Sequence, residues 1–260
     1  MRSGNPALSD KTFAPWKSAQ LEAPEPWTSS TTVRRIPQPG RMSLEGVVNK
    51  TGLMLLFLTA SASWTWSLAY AQSPLVMPLM FGGLGLGFIT ALITIFKKEW
   101  SPYTSLPYAM LEGLALGGIS AFFEGAYPGI VLQAVGCTFG TLFCLLAAYR
   151  SGLIKPTENF KLGVVAATGG IAVFYLISIG LGFFGIQAPL IHESGPVGIL
   201  FSLFVVSIAA LNLILDFDFI ESGVEVGAPK FMEWYASFGL MVTLIWLYLE
   251  FLRLLAKSRR

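Results

Sequence analysis

Lys, Arg, Asp and Glu are absent from residues 51–96, 125–149, 162–192 and 194–215. A hydrocarbon layer is about 30 Å thick and about 20 helical residues cross it, so each uncharged run holds one or two crossings. Lipid offers no partner to a backbone amide, and continuous apolar runs meet that demand as α-helices, whose hydrogen bonds close within the segment. The charges are clumped between these runs. The chain is 54% hydrophobic and 12% charged, with mean hydropathy +0.65, against about 25% charged in an average soluble domain. This is the pattern of an all-α membrane protein. It excludes a water-soluble enzyme, and the net charge of +2 gives no footprint for nucleic acid, because the basic residues border the spans.

Seven spans are predicted, near 51–71, 74–96, 106–124, 129–149, 162–184, 196–217 and 232–255, with Pro128 and Gly129 turning the chain between the third and fourth. They form one membrane domain over 46–257, with a basic C-terminal tail at 258–260. Residues 1–45 differ. Pro6, Pro15, Pro24, Pro26, Pro37 and Pro39 fall among many Ser and Thr, a composition that cannot bury a core and reads as a disordered cytoplasmic tail. No apolar core lies near Met1, so the first hydrophobic segment reads as an anchor and not a cleaved signal. Gly83/Gly87, Gly113/Gly117 and Gly136/Gly140 are small-xxx-small pairs, which let helices approach closely in lipid. Cys137 and Cys144 share a face of the fourth span and read as packing residues.

Orientation follows from the basic residues of the short connections. Arg34, Arg35, Arg41 and Lys50 precede the first span, Lys97 and Lys98 follow the second, and Arg150, Lys155 and Lys161 follow the fourth. The alternate connections near 72–73, 124–129 and 185–195 have no Lys or Arg. The N-terminus is therefore expected in the cytoplasm of a cell (inner) membrane protein. Seven crossings then send Arg253, Lys257, Arg259 and Arg260 outward, against the bias. A last segment that dips and returns is the alternative, but its 24 residues reach about 36 Å as a helix, enough to cross.

Ionisable groups at membrane depth cost about 2.5–3.5 kcal/mol on insertion scales, so those that persist there mark a pathway, a gate or a buried partner. The sixth span stops at Asp216 and Asp218. An acidic connection over 216–230 leads to Glu233, and the seventh span carries Glu250 in its last turns. Glu112 stands alone in the third span, about 8 Å from its cytoplasmic end.

The segments RMSLEGVVNKTG, YAMLEGLALGGIS, LDFDFIESGVEVGAPKFMEWY and WLYLEFLRLLAK, in that order over residues 41–257, resemble the Bax inhibitor-1 family, in its bacterial YccA-like branch. The resemblance implies seven helices with the last in the middle of the other six. It further implies a pH-sensitive calcium leak, gated by paired aspartates near the cytoplasmic ends of the sixth and seventh helices. Asp216 matches the first aspartate. A gapless match of the last helix puts Thr243 at the second, whereas a match of the Leu-Tyr-Leu-Glu-Phe motif alone puts Glu250 there.

With Thr243 uncharged, Glu112 is the expected partner of Asp216, the two carboxylates sharing a proton and lying within about 6 Å of each other. Asp216, Asp218 and Glu112 would line a weak, transient calcium path, since hard cations take oxygen ligands. Lys97 or Lys98 could latch Asp216, with ordinary positive-inside anchoring as the plainer reading. Asp218, Glu221 and Glu225 read as a solvated loop, and Glu233 as a first-turn carboxylate complementing the helix dipole. Glu250 with Arg253 reads as a local ion pair, and Trp100, Trp234 and Tyr235 as interfacial belt residues. The central helix is expected to be apolar all round, approached closely at Ser237, Gly239 and Thr243.

No enzyme, catalytic residue or cofactor is expected. A rhomboid-type protease needs Ser and His within the membrane, and the only histidine, His192, falls in an outer loop. Gly-x-Gly-Asp is absent, and residues 232–255 hold no Lys for retinal. The expected partners are membrane lipid and calcium ions or protons. The alternative function is a membrane interaction protein without transport, such as a modulator of a membrane protease or stress response, with a membrane-protein partner.

Overall fold

Each uncharged run folds as one or two α-helices. In the computed structural model, which describes residues 40–183 and 195–259, the helices are α1 (Leu44–Tyr70), α2 (Val76–Phe96), α3 (Ser101–Ala126), α4 (Ile130–Arg150), α5 (Glu158–Phe183), α6 (Pro196–Glu225) and α7 (Met232–Ser258). Of these, α3 and α7 lie outside the uncharged runs and carry glutamates. All seven are long and apolar enough to cross a membrane. Of the tail expected over 1–45, residues 1–39 lie outside the described residues, as do the loop with His192 and residue 260, while residues 40–45 are held by backbone bonds to the α6–α7 connection and enter α1 at Leu44.

The ends of the helices follow local chemistry. Ser43 caps α1 by accepting the Gly46 N–H at 3.0 Å, meeting one of the amides a helix start leaves free. Glu124, near the end of α3, accepts the Gly129 and Val131 N–H groups at 2.5 and 3.1 Å. It thereby places a negative charge at the positive end of the α4 dipole. Gly227 sits at φ +65° just beyond α6, where the Ala228 N–H donates to Gly223 O and the Gly227 N–H to Val224 O. That is the Schellman arrangement, and its left-handed residue favours glycine.

Three boundaries differ from expectation. α1 begins at Leu44, about two turns before the uncharged run. α3 begins at Ser101 and absorbs Pro107. α6 runs to Glu225, so most of the acidic stretch is helical and not loop, and the connection to α7 is short.

α7 lies at the centre, packed directly against α1, α3, α4 and α6. α2 sits outside, mainly on α3, and α5 sits outside on α6. The central helix is not apolar all round: Glu233, Ser237, Thr243 and Glu250 are all buried along it. Tyr235 is fully buried against Phe238 and not in an interfacial belt.

Glycines set two of the tightest contacts. A Cβ on Gly113 would stand 2.3 Å from Leu58 O, and one on Gly117 would stand 2.2 Å from Ala62 O, so α1 and α3 touch backbone to backbone. A Cβ on Gly83 would meet Leu111 O at 2.5 Å, seating α2 on α3. Gly136 and Gly140 meet nothing within 4 Å, and Cys137 and Cys144 are exposed on the same helix. The expected packing face of α4 thus looks outward.

Candidate functional site

Asp216 stands in the seam between α6 and α7. It is fully buried, and neither carboxylate oxygen has a hydrogen-bond partner of good geometry. Thr243 of α7 is the polar side chain set against it. The Thr243 hydroxyl also faces Gly239 O at 3.3 Å, a long contact that leaves it free to turn. The gapless placement of Thr243 opposite Asp216 is therefore the one the fold builds. One turn back on α6, Asn212 is buried with its Nδ2 donating to Thr168 Oγ1 of α5 at 2.8 Å and to Ile208 O at 2.9 Å. Its Oδ1 has no partner.

The other candidates go elsewhere. Glu112 turns towards α2, its Oε1 2.9 Å from where a Cβ on Gly87 would stand. α3 and α6 are not among the helix pairs that pack closely, so Glu112 and Asp216 face different neighbours and do not form the expected pair. Lys97 is exposed at the end of α2 and does not latch Asp216. Asp218 is bound by the buried Lys161 of α5 at 2.8 Å, and Glu221 accepts the Tyr149 hydroxyl at 2.5 Å. These two are interhelical ties and not a solvated loop. Asp216, Asp218 and Glu112 do not gather, and among the described residues no three His, Cys, Asp or Glu side chains could jointly hold a metal ion.

Two buried carboxylates fix the ends of α7. Glu233 Oε1 accepts both the N–H and the hydroxyl of Ser43 at 3.0 Å, and its other oxygen pairs with Lys50, whose ammonium lies 5.4 Å from the Trp234 ring centre. A capping box uses a glutamate of the same helix for the N-cap amide; here one from the last helix does that work. Gly46 makes room for it, since a Cβ there would overlap Glu233 Oε1 at 2.2 Å. Backbone bonds extend the clasp, from Met42 N–H to Ala228 O at 2.7 Å and from Lys230 N–H to Gly40 O at 3.0 Å. At the other end, Glu250 accepts from Arg253 at 2.8 Å, from Tyr175 of α5 at 3.0 Å and from Trp246 at 3.2 Å. The expected Glu250–Arg253 pair is present, gathered with Tyr175 and Trp246 around the buried Glu250. Beyond it, Arg259 donates to Pro128 O at 2.9 Å, so the end of α7 meets the α3–α4 turn, away from Ser43.

An apolar cleft of about 390 Å³ opens in that same half, between α1, α3, α4 and α7. Its floor includes Met241 and Leu244, which flank Thr243 on α7, and its polar points include Ser120 and Tyr248, hydrogen-bonded at 2.6 Å.

Compared with known families, the chain matches the model described as Bax inhibitor 1 like over residues 5–260. The chain belongs to the Bax inhibitor 1 family. Membership and the seven long apolar helices make it a multi-pass membrane protein. No curated protein and no solved structure matches it significantly. Within this family member, sequence reasoning missed Asn212, Lys161 and Ser43. A polar residue inside an uncharged run was the available signal for Asn212. Nothing local marked the other two, whose partners are 57 and 190 residues away.

Proposed function

We propose that the protein is a pH-sensitive cation leak whose gate is Asp216 in the α6–α7 seam. Calcium is the cation that family membership points to. The observation that carries the reading is a fully buried carboxylate with no hydrogen-bond partner of good geometry, set against a threonine of the central helix. Such a group has no structural task there, because buried charges that serve only stability are paired and hydrogen-bonded. Lys50, Lys161 and Arg253 each have another carboxylate in this structure. Gain or loss of one proton changes whether α6 carries a charge into the seam, and so changes how closely it can sit on α7. The cleft supports the reading, since its Met241–Leu244 floor lies on the turn of α7 that also carries Thr243.

Reconstituted into vesicles with an entrapped indicator, the protein should pass cations at rates that differ between two pH values. Asp216→Asn, which cannot titrate, should give the same rate at both. Asp216→Asn retaining the full pH dependence would remove Asp216 from the gate. Glu112→Gln, facing α2, should leave the pH dependence in place.

The membrane reading is an inner membrane with a cytoplasmic N-terminus, supported by the basic residues around 34–50, 97–98 and 150–161. Seven crossings put Ser258 on the opposite side. A cysteine at 258 should react with an impermeant thiol reagent added from outside intact cells, and labelling only after lysis would reverse the assignment.

A further inference from the structure

The cleft between α1, α3, α4 and α7 is open on one side. α1 and α4 are not among the helix pairs that pack closely. Thr59 and Ser63 of α1 and Val135 of α4, all exposed, line the cleft from either side of that gap. A gap between two membrane-spanning helices faces hydrocarbon. The deeper wall is apolar, at Leu55 and Phe139, and such a surface holds no water. The lining runs from Val131 to Phe139 along α4 and from Leu55 to Trp66 along α1, about 12–16 Å of helix. One leaflet of hydrocarbon is about 15 Å deep. A cleft of this depth and polarity fits one acyl chain of a lipid lying beside the protein.

The end of the cleft at Val131 adjoins two opposite charges. Glu124 accepts the N–H groups of Gly129 and of Val131 itself. Arg259 donates to Pro128 O at 2.9 Å and to Gln133 Oε1 at 2.8 Å. Pro128 O and Gly129 N belong to one peptide group, so the carboxylate and the guanidinium flank it, no more than about 8 Å apart. They do not pair with each other, and each has only neutral partners among the described residues. A cation and an anion side by side on one turn match a headgroup that carries both signs.

We infer that the cleft and the α3–α4 turn form one lipid site for a phospholipid of the phosphatidylethanolamine class. One acyl chain lies in the cleft, the phosphate meets Arg259 and the amine meets Glu124. Arg259 uses two of its N–H groups here, and the rest of its fork suits a phosphate. A primary ammonium brings three donors to the Glu124 carboxylate. A headgroup with a phosphate but no amine would set its negative charge beside Glu124 with nothing to offset it. Diacylglycerol would fill the cleft and leave both charges unmatched.

The inference goes beyond the leak and depends on neither Asp216 nor ion passage. The full chain, purified and delipidated in detergent, is mixed with phosphatidylethanolamine, phosphatidylglycerol or diacylglycerol of the same chain length. Bound lipid is counted by native mass spectrometry. One phosphatidylethanolamine per chain should bind, several-fold tighter than either of the others. Arg259→Gln, at an exposed position, should weaken that binding several-fold, and Glu124→Gln should abolish the preference over phosphatidylglycerol. Val135→Trp, which fills the cleft from its rim and leaves the turn intact, should lower the binding of all three. It keeps the inference testable even if Glu124→Gln folds poorly. Equal binding of the three lipids, or undiminished binding by Arg259→Gln, would overturn the headgroup assignment. Undiminished binding by Val135→Trp would overturn the placement of the chain in the cleft. A dimer that excludes lipid would show a second copy filling the gap, and would overturn the inference as well.

Discussion

Gly117→Ala should destabilise the protein by about 1–3 kcal/mol, the usual cost of overpacking a well-packed core. The added methyl would lie 2.2 Å from Ala62 O and 2.9 Å from Ala62 Cα. Both are backbone atoms of α1 and cannot rotate away as a side-chain tip can. α1 must then move off α3 by about 1 Å, and dispersion contacts lose much of their depth over such a gap. The displacement would spread, because α1 also holds α7 through Glu233. Gly113→Ala, 2.3 Å from Leu58 O, should behave alike. Gly136→Ala and Gly140→Ala serve as controls. With nothing within 4 Å they should cost nothing and gain up to about 1 kcal/mol from alanine's better helix propensity. Reversible unfolding in micelles measures all four, and equal losses at 117 and 140 would refute this placement of the α1–α3 contact.

Glu233→Ala should cost about 3–5 kcal/mol, the usual loss when one partner of a buried ion pair is removed. It leaves the Lys50 ammonium without its carboxylate and the Ser43 N–H and hydroxyl without their acceptor. Glu233→Gln should cost less, because its amide oxygen can still accept from Ser43. Removing the stranded charge as well, in Glu233→Gln with Lys50→Met, should recover part of that loss. A double-mutant cycle reads the coupling directly, and a coupling near zero would show that the pair holds nothing together.

How far the chain could be read from its residues is clearest at three places. Five of the spans were visible because the absence of charge over 20 or more residues has a single physical meaning, while the third and seventh were apolar runs broken by glutamates, and the central place of α7 came from the family resemblance. The end of α6 was not visible. Asp218 and Glu221 look like loop residues until Lys161 and Tyr149, from other helices, bind them and the helix continues to Glu225. The partner of Asp216 was missed for a related reason. Rise per residue gives the depth of a side chain, so Glu112 and Asp216 were placed at similar depth, but nothing local gives the direction each faces. Direction is set by which helices pack, and α3 packs on α2 and α1 while α6 packs on α7. The glycine pairs teach the same lesson: all three have the spacing, and two meet a neighbouring helix.

α7 is a beam clamped at both ends. Glu233 bolts its start to α1, while Glu250 and Arg259 bolt its finish to α5 and to the α3–α4 turn. Between the two glutamates run about 25 Å of helix, with Gly239 and Thr243 near mid-span. A beam so held neither slides along its axis nor spins about it without tearing out a buried charge. What remains to it is bowing in the middle, where the bending stress is greatest and where glycine leaves the rod thinnest. Any displacement large enough to join the cleft to Asp216 must therefore come from flexure of that mid-section or from α6 swinging away from it, and not from a piston stroke of the central helix.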